Sequence, residues 1–192
     1  MLPGTYLDLI SLEADAASIR TYQPRIVPGL LQTEVYVRAM IEAARVEMSP
    51  EEIETVVEVR LARQAVFTRQ RPLRLWAVLD EAVLRRMVGG TEVMRDQLRH
   101  LVVMAKRQNV TLQVLPFAVG APAWVHTPFV VLRFPEPADL EVVYLENLTS
   151  GLYVEETAEV DRYTLMFDYL RAAALSPKES VALIAEVADA LE

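Results

Sequence analysis

Cysteine is absent from the 192 residues. That removes disulfides, thiolate metal sites and cysteine nucleophiles together, and it suits a reducing compartment. Histidine is nearly as scarce, at two residues, His100 and His126. They stand in different predicted elements with no carboxylate spaced beside either in a ligand pattern, so no metal site is expected. Glycine numbers six and forms neither a G-x-x-x-x-G-K nor a G-x-G-x-x-G motif; Gly89 and Gly90 follow a short helix rather than a strand, and no phosphate or dinucleotide cofactor is expected. No run of 18 uncharged apolar residues occurs, and the first residues lack a basic flank, apolar run and small-residue cleavage site. The expectation is a cytoplasmic protein without membrane contact.

What is present is apolar and acidic. Hydrophobic residues make up 53% of the chain, and 27 acidic residues against 19 basic ones give a net charge of -8. A chain that apolar buries a core and is not a disordered regulator. A surface of that sign repels a polyanion, so direct nucleic-acid contact by this chain is not expected.

Periodicity supplies the elements. "YLDLISLEADAASI" reads as an amphipathic helix with Leu7, Ile10, Ala14, Ala17 and Ile19 near one face. Pro24 and Val27-Pro28-Gly29 interrupt the pattern, with Gly29 placed for the positive φ of a type II turn. Thr33 caps a helix carrying Val35, Val37, Met40 and Ile41. Ser49, Pro50, Glu51 and Glu52 then make a strong helix start, running to about Arg69 with Ile53, Val56, Val57, Leu61 and Val66 inward. "LRLWAVLDE" is an apolar strand buried on both faces, with Trp76 in the core. A short helix closed by Gly89-Gly90 follows, then a helix capped by Thr91 with Val93, Met94, Leu98, Leu101, Val102 and Ala105 inward. "VTLQVLP", "FVVLRF" and "EVVYLEN" are strands. Glu156 to about Ala174 is a helix with Val160, Tyr163, Leu165, Met166 and Leu170 inward, and Ser176-Pro177 opens the last.

This order predicts an α+β chain forming a single effector-like domain over 1–192. A helical N-terminal lobe (1–70) packs on a small mixed sheet (71–155) flanked by C-terminal helices (156–192). "VLDEAVL" to "VTLQVLP" is a parallel crossover, and the last strands are antiparallel neighbours.

Few side chains invite chemistry. His126, between Trp124 and Pro128 on a loop at a strand mouth, could line a pocket with Trp124, or bond its own backbone. Asp80 and Glu81 stand at a strand's carboxyl end, where α/β sheets present ligands, but equally where acids cap a helix. Glu146 has the same ambiguity and could cluster with Tyr144 and Tyr153. His100 reads as structural. The arginines of "EVRLARQAVFTRQRPLR" read as a charge-laced solvent face rather than a nucleic-acid strip.

Taken in order, "LEADAASIRTYQPRIVPGLLQTEVYVRAM", "VEVRLARQAVF", "LWAVLDEAVLRRMVGG", "QLRHLVVMAKRQNVTLQVLP", "FVVLRF" and "VVYLEN" resemble the C-terminal domain of actinobacterial Xre-type helix-turn-helix regulators, the antitoxin-like group. The likeness spans about residues 6 to 190. It implies an effector domain that dimerises and binds a small protein partner or a small molecule, and it carries no catalytic residues to transfer. In "PGLLQT" the turn chemistry itself places Leu30 and Leu31 in the core, with Gln32 either structural or a ligand or partner contact. Members of that group begin with a DNA-binding module, and this chain begins after it. The chain is then either the regulatory half of such a factor or a stand-alone binder or cofactor-free isomerase, cyclase or hydrolase, with Trp124 and His126 shaping the site and Asp80, Glu81 or Glu146 moving a proton.

Overall fold

The computed structural model describes residues 4–44, 48–120, 127–135, 140–147 and 150–191. These form α1 (Gly4–Asp15), β1 (Ser18–Gln23), α2 (Glu34–Ala43), α3 (Pro50–Ala62), β2 (Arg74–Asp80), α4 (Glu81–Arg85), α5 (Thr91–Met104), β3 (Val110–Leu115), β4 (Phe129–Arg133), β5 (Glu141–Glu146), β6 (Gly151–Val154), α6 (Thr157–Ala173) and α7 (Pro177–Asp189). The α+β class expected from the sequence is the class observed.

The strands make one mixed sheet in the order β3-β2-β1-β4-β5-β6. β1, β2 and β3 run parallel, with Leu79 beside Gln23 and Val114. β4, β5 and β6 continue antiparallel. The expected β2–α4–α5–β3 crossover is therefore parallel, and the later strands are antiparallel neighbours as expected.

Side-chain alternation splits the core in two. Ile19, Leu75, Ala77, Leu79, Leu112, Val114 and Leu132 point to one face, against Leu30, Leu31, Leu98, Leu101 and Ile184. Tyr22, Val78, Phe129, Val131 and Val143 point to the other, where Val160, Phe167 and Leu170 of α6 cover them. Because both faces are covered, the strands read as apolar runs rather than as clean alternation. Trp76 is only partly buried; its ring meets Phe167 edge-on at 6.1 Å and its N–H donates to Gln113 Oε1 at 2.8 Å.

Several helix starts match their sequence signals. Thr33 Oγ1 accepts from the Tyr36 N–H at 3.3 Å. Ser49 and Ser176 each form a reciprocal capping box, with Glu52 and Glu179, ahead of a proline at the first turn. α5 departs by one position: Gly90, at φ 87°, precedes it and Thr91 is already helical, so Thr91 is not the cap.

Other expectations are corrected. The first helix ends at Asp15, and Ser18–Gln23 is a strand at the centre of the sheet. Ile19 faces one core and Tyr22 the other, a two-sided burial that a helical reading of this short run cannot register. Gly29 does not take a positive φ; it opens a 3-10 turn, Gly29–Leu31, closed by the Leu31 N–H on the Pro28 carbonyl at 2.8 Å. α3 stops at Ala62 and tightens into a 3-10 segment, Arg63–Phe67. Within α3 only Val57 is fully buried, and Val35 and Leu165, expected inward, are exposed. β6 had no strand signal of its own.

Candidate functional site

The 3-10 turn at Gly29–Leu31 forms one wall of a cavity of about 160 Å³. Its floor is the sheet: Ile19, Thr21 and Gln23 of β1, Leu75 of β2, Phe129 and Val130 of β4, and Tyr144 and Glu146 of β5. Leu9 and Glu13 reach in from α1, Met40 from α2, Arg60 from α3 and Arg63 from the turn after it. The lining mixes apolar side chains with polar and charged ones from the floor, the turn and the helices.

The polar groups around the turn are held by bonds among themselves. Leu30 and Leu31 bury into the core as expected, which presents Gln32, itself 1% exposed, to the cavity. Gln32 Nε2 donates to the Val27 carbonyl at 2.6 Å, and Gln32 Oε1 accepts from Arg60 Nη1 at 3.1 Å. Gln64 Nε2 donates to the Gln32 carbonyl at 2.7 Å. Behind the turn, Gln97 accepts from the Thr33 N–H at 2.7 Å and donates to the Leu31 carbonyl at 2.8 Å. A segment whose backbone has no ladder partner thus has its polar groups met by glutamine side chains. The Val27 N–H donates to Tyr36 Oη at 3.3 Å, and burial raises the phenol pKa above its ordinary value.

Arg63 and Glu13 form the deepest polar feature. Arg63 Nη2 and Nε donate to the two carboxylate oxygens at 2.7 and 2.8 Å, and both side chains are almost wholly buried. Burial raises the Glu13 pKa; the guanidinium beside it opposes that shift. Such a two-toothed pair, taken out of water, is fixed in direction and leaves little freedom to either side chain. The Arg63 guanidinium lies against Gly29, where a Cβ would sit 3.3 Å from Nη1. Close approach, rather than backbone handedness, is what favours glycine there.

The expected site residues divide into three sets. Gln32, Tyr144 and Glu146 line the cavity, and the Tyr153 ring packs against Tyr144, tilted by 42° with centroids 5.0 Å apart. Asp80 and Glu81 do not join them. Asp80 caps α4, accepting from the Ala82 N–H at 2.8 Å, and its other oxygen lies 3.5 Å from Tyr22 Oη. Glu81 pairs with Arg85 at 3.0 Å and accepts from the Phe117 N–H at 3.0 Å. Asp80 closes local structure, and Glu81 ties the start of α4 to the segment after β3. Trp124 and His126 lie outside the described residues; Pro128 and Phe129, which follow them in sequence, line the cavity. Glu13, Arg60 and Arg63 went unrecognised, because nothing in local spacing links residue 13 to residue 63.

Among the described residues no group of three or more His, Asp or Glu side chains could hold a metal ion. No helix among them is long and apolar enough to cross a membrane. No curated protein matches the chain. The family described as Domain of unknown function (DUF5753) matches residues 6–186, nearly the whole chain, and the protein belongs to that family.

Proposed function

We propose that this chain is the effector domain of a helix-turn-helix transcriptional regulator and that it takes a small molecule in the cavity under the Gly29–Leu31 turn. The cavity itself carries the reading. A space of about 160 Å³ lined by apolar side chains with a few polar groups has the make-up of a site for a compact ligand. The lining charges cancel, Arg60 and Arg63 against Glu13 and Glu146. The ligand class that fits is a compact molecule of no net charge, apolar over most of its surface, with one hydrogen-bonding end for Gln32 and Arg60.

Regulation follows from what the ligand touches. Leu9 and Glu13 belong to α1, so occupancy bears directly on the first helix of the chain. A ligand that binds one setting of α1 better than another shifts the population between them. A small protein partner on the outer surface would act through the same equilibrium, and duplex DNA is no partner of this acidic chain.

The test is a fragment and metabolite screen by thermal shift and native mass spectrometry on the chain and on Val130→Trp, which fills the cavity from its floor. A ligand at 100 times its dissociation constant stabilises by about 2.7 kcal/mol. The expected result is neutral binders that stabilise the parent chain and not the filled variant. Binders that stabilise both equally would place the site elsewhere, and tight, salt-sensitive capture of duplex DNA by the chain would overturn the regulatory assignment.

A further inference from the structure

The sequence of α1 works against its own last turn. Glu13 and Asp15 stand there, where unmet carbonyls concentrate negative charge, and no basic residue of the helix offsets them. The compensation comes from one short segment far along the chain. Arg69 donates through its two terminal nitrogens to the Ala14 and Ala16 carbonyls, and Arg63 meets the Glu13 carboxylate. Arg69 Nε donates in turn to the Arg71 carbonyl at 2.8 Å, which sets the guanidinium toward the helix end.

The two arginines act at different points. Residues 14–16 lead into β1, and the chain is fixed directly after them: the Ala17 N–H donates to the Arg133 carbonyl at 2.8 Å, and the Ala17 carbonyl accepts from the Arg74 N–H at 3.1 Å. Arg69 therefore holds α1 at its anchored end. Glu13 shares a face with Leu9, one turn earlier, and both line the cavity. Leu9 and Ala16 are buried, but between them and the sheet lies a space of about 160 Å³ in place of a packed layer. Atoms that border a void lack partners on that side, so α1 gains less from its inner face than a helix on a filled core.

We infer that α1 is a lid over the cavity, hinged at residues 14–16 under Arg69 and latched by Glu13 on Arg63, and that it opens while the rest of the domain stays folded. Opening returns both partners of the latch to water together, and a buried ion pair exchanged for two solvated charges loses little net energy. Unfolding the sheet costs far more, because it exposes the cores on both of its faces. A ligand lying against Leu9 and Glu13 would hold the lid shut. The lid itself belongs to the empty chain, so it holds or fails independently of the ligand reading.

Amide hydrogen exchange on the parent chain, without ligand, tests this. A helix of 12 residues is marginal in water once its tertiary contacts are lost, so an opened α1 gives up its amide protection. Residues 9–15 are expected to share one opening free energy, with protection about tenfold or more below that of β1, β2 and β3 and little dependence on low urea. Phe167→Leu, fully buried on the opposite face of the sheet, should lower protection of the strands about tenfold and leave α1 within about twofold. Glu13→Gln should speed exchange of residues 9–15 about tenfold or more, and Arg69→Met, whose contacts lie at the hinge in both settings, by less than about threefold. The inference is overturned if residues 9–15 exchange only with the strands, or if their protection rises residue by residue as in a fraying end. It is overturned equally if Phe167→Leu speeds α1 and the strands alike, if Glu13→Gln leaves α1 unchanged, or if Arg69→Met opens α1 as strongly as Glu13→Gln.

Discussion

Arg63 grips Glu13 through two bonds of 2.7 and 2.8 Å across fifty residues of sequence, joining the turn after α3 to α1 inside the cavity wall. Removing either partner alone takes this ion pair from a side chain that is almost wholly buried. Arg63→Met or Glu13→Leu is expected to cost about 3–5 kcal/mol, while the double replacement is expected to recover most of that loss, since an apolar pair fills the same volume. Urea denaturation of the four chains measures the coupling. A near-additive double variant would mean that the pair is solvated in solution.

Gly29 bears on the same pair. An added Cβ would stand 3.3 and 3.4 Å from the two Arg63 terminal nitrogens, and the guanidinium, fixed by Glu13, has little room to yield. Gly29→Ala should therefore destabilise by about 1–3 kcal/mol through overpacking. In the Glu13→Leu, Arg63→Met background the flexible methionine can move aside and the cost should shrink. An equal cost in both backgrounds would assign the glycine to backbone freedom instead.

How much of this could be read beforehand depends on the range of the interaction. Ser49-Pro50 and Ser176-Pro177 were legible as helix starts because a cap residue followed by proline is a local signal; the reciprocal bonds to Glu52 and Glu179 are added by the structure. Asp80 was legible as a cap for the same reason. β1 was not legible as a strand. Its place between β2 and β4 is decided by residues 74–79 and 129–133, far along the chain, and its burial on both faces removes the alternation that marks a strand. The site divides along the same line. Gln32 and the leucines before it announced a fixed turn, whereas Arg63 sits among arginines that look solvent-facing until the fold brings Glu13 to it.

His100 offers a pH handle away from the cavity. Its Nε2 is buried without a hydrogen-bond partner among the described residues, and burial first, then the Arg107 charge, holds its pKa below the ordinary 6.5. The unfolded chain therefore takes up a proton on this residue before the folded chain does, and the resulting stability is present above 6.5 and lost as pH falls through it. His100→Leu removes that term. The stability difference between the parent and His100→Leu should shift in favour of the variant from pH 7.5 to pH 5.5, followed by urea midpoints at each pH. A difference that stays constant would show that His100 titrates alike in both states.

Gly151 ties the last strand of the sheet to the cavity. A Cβ at this position would lie 2.8 Å from Tyr144 Oη and 3.0 Å from its Cζ, so the ring has to move for any larger residue to fit. Tyr144 also packs against Tyr153 at 5.0 Å between centroids, and its ring lines the cavity. Gly151→Ala should destabilise by about 1–3 kcal/mol as an overpacked contact. It should also narrow the cavity and weaken any ligand found there, although residue 151 does not line it. Tyr144→Leu removes the ring atoms in the way, so Gly151→Ala should cost less stability in that background than in the parent. Denaturation of the single and double variants, with ligand titration of Gly151→Ala, measures both effects. If Gly151→Ala destabilises the chain but leaves affinity untouched, Tyr144 yields away from the cavity, and the edge strand and the site are mechanically separate.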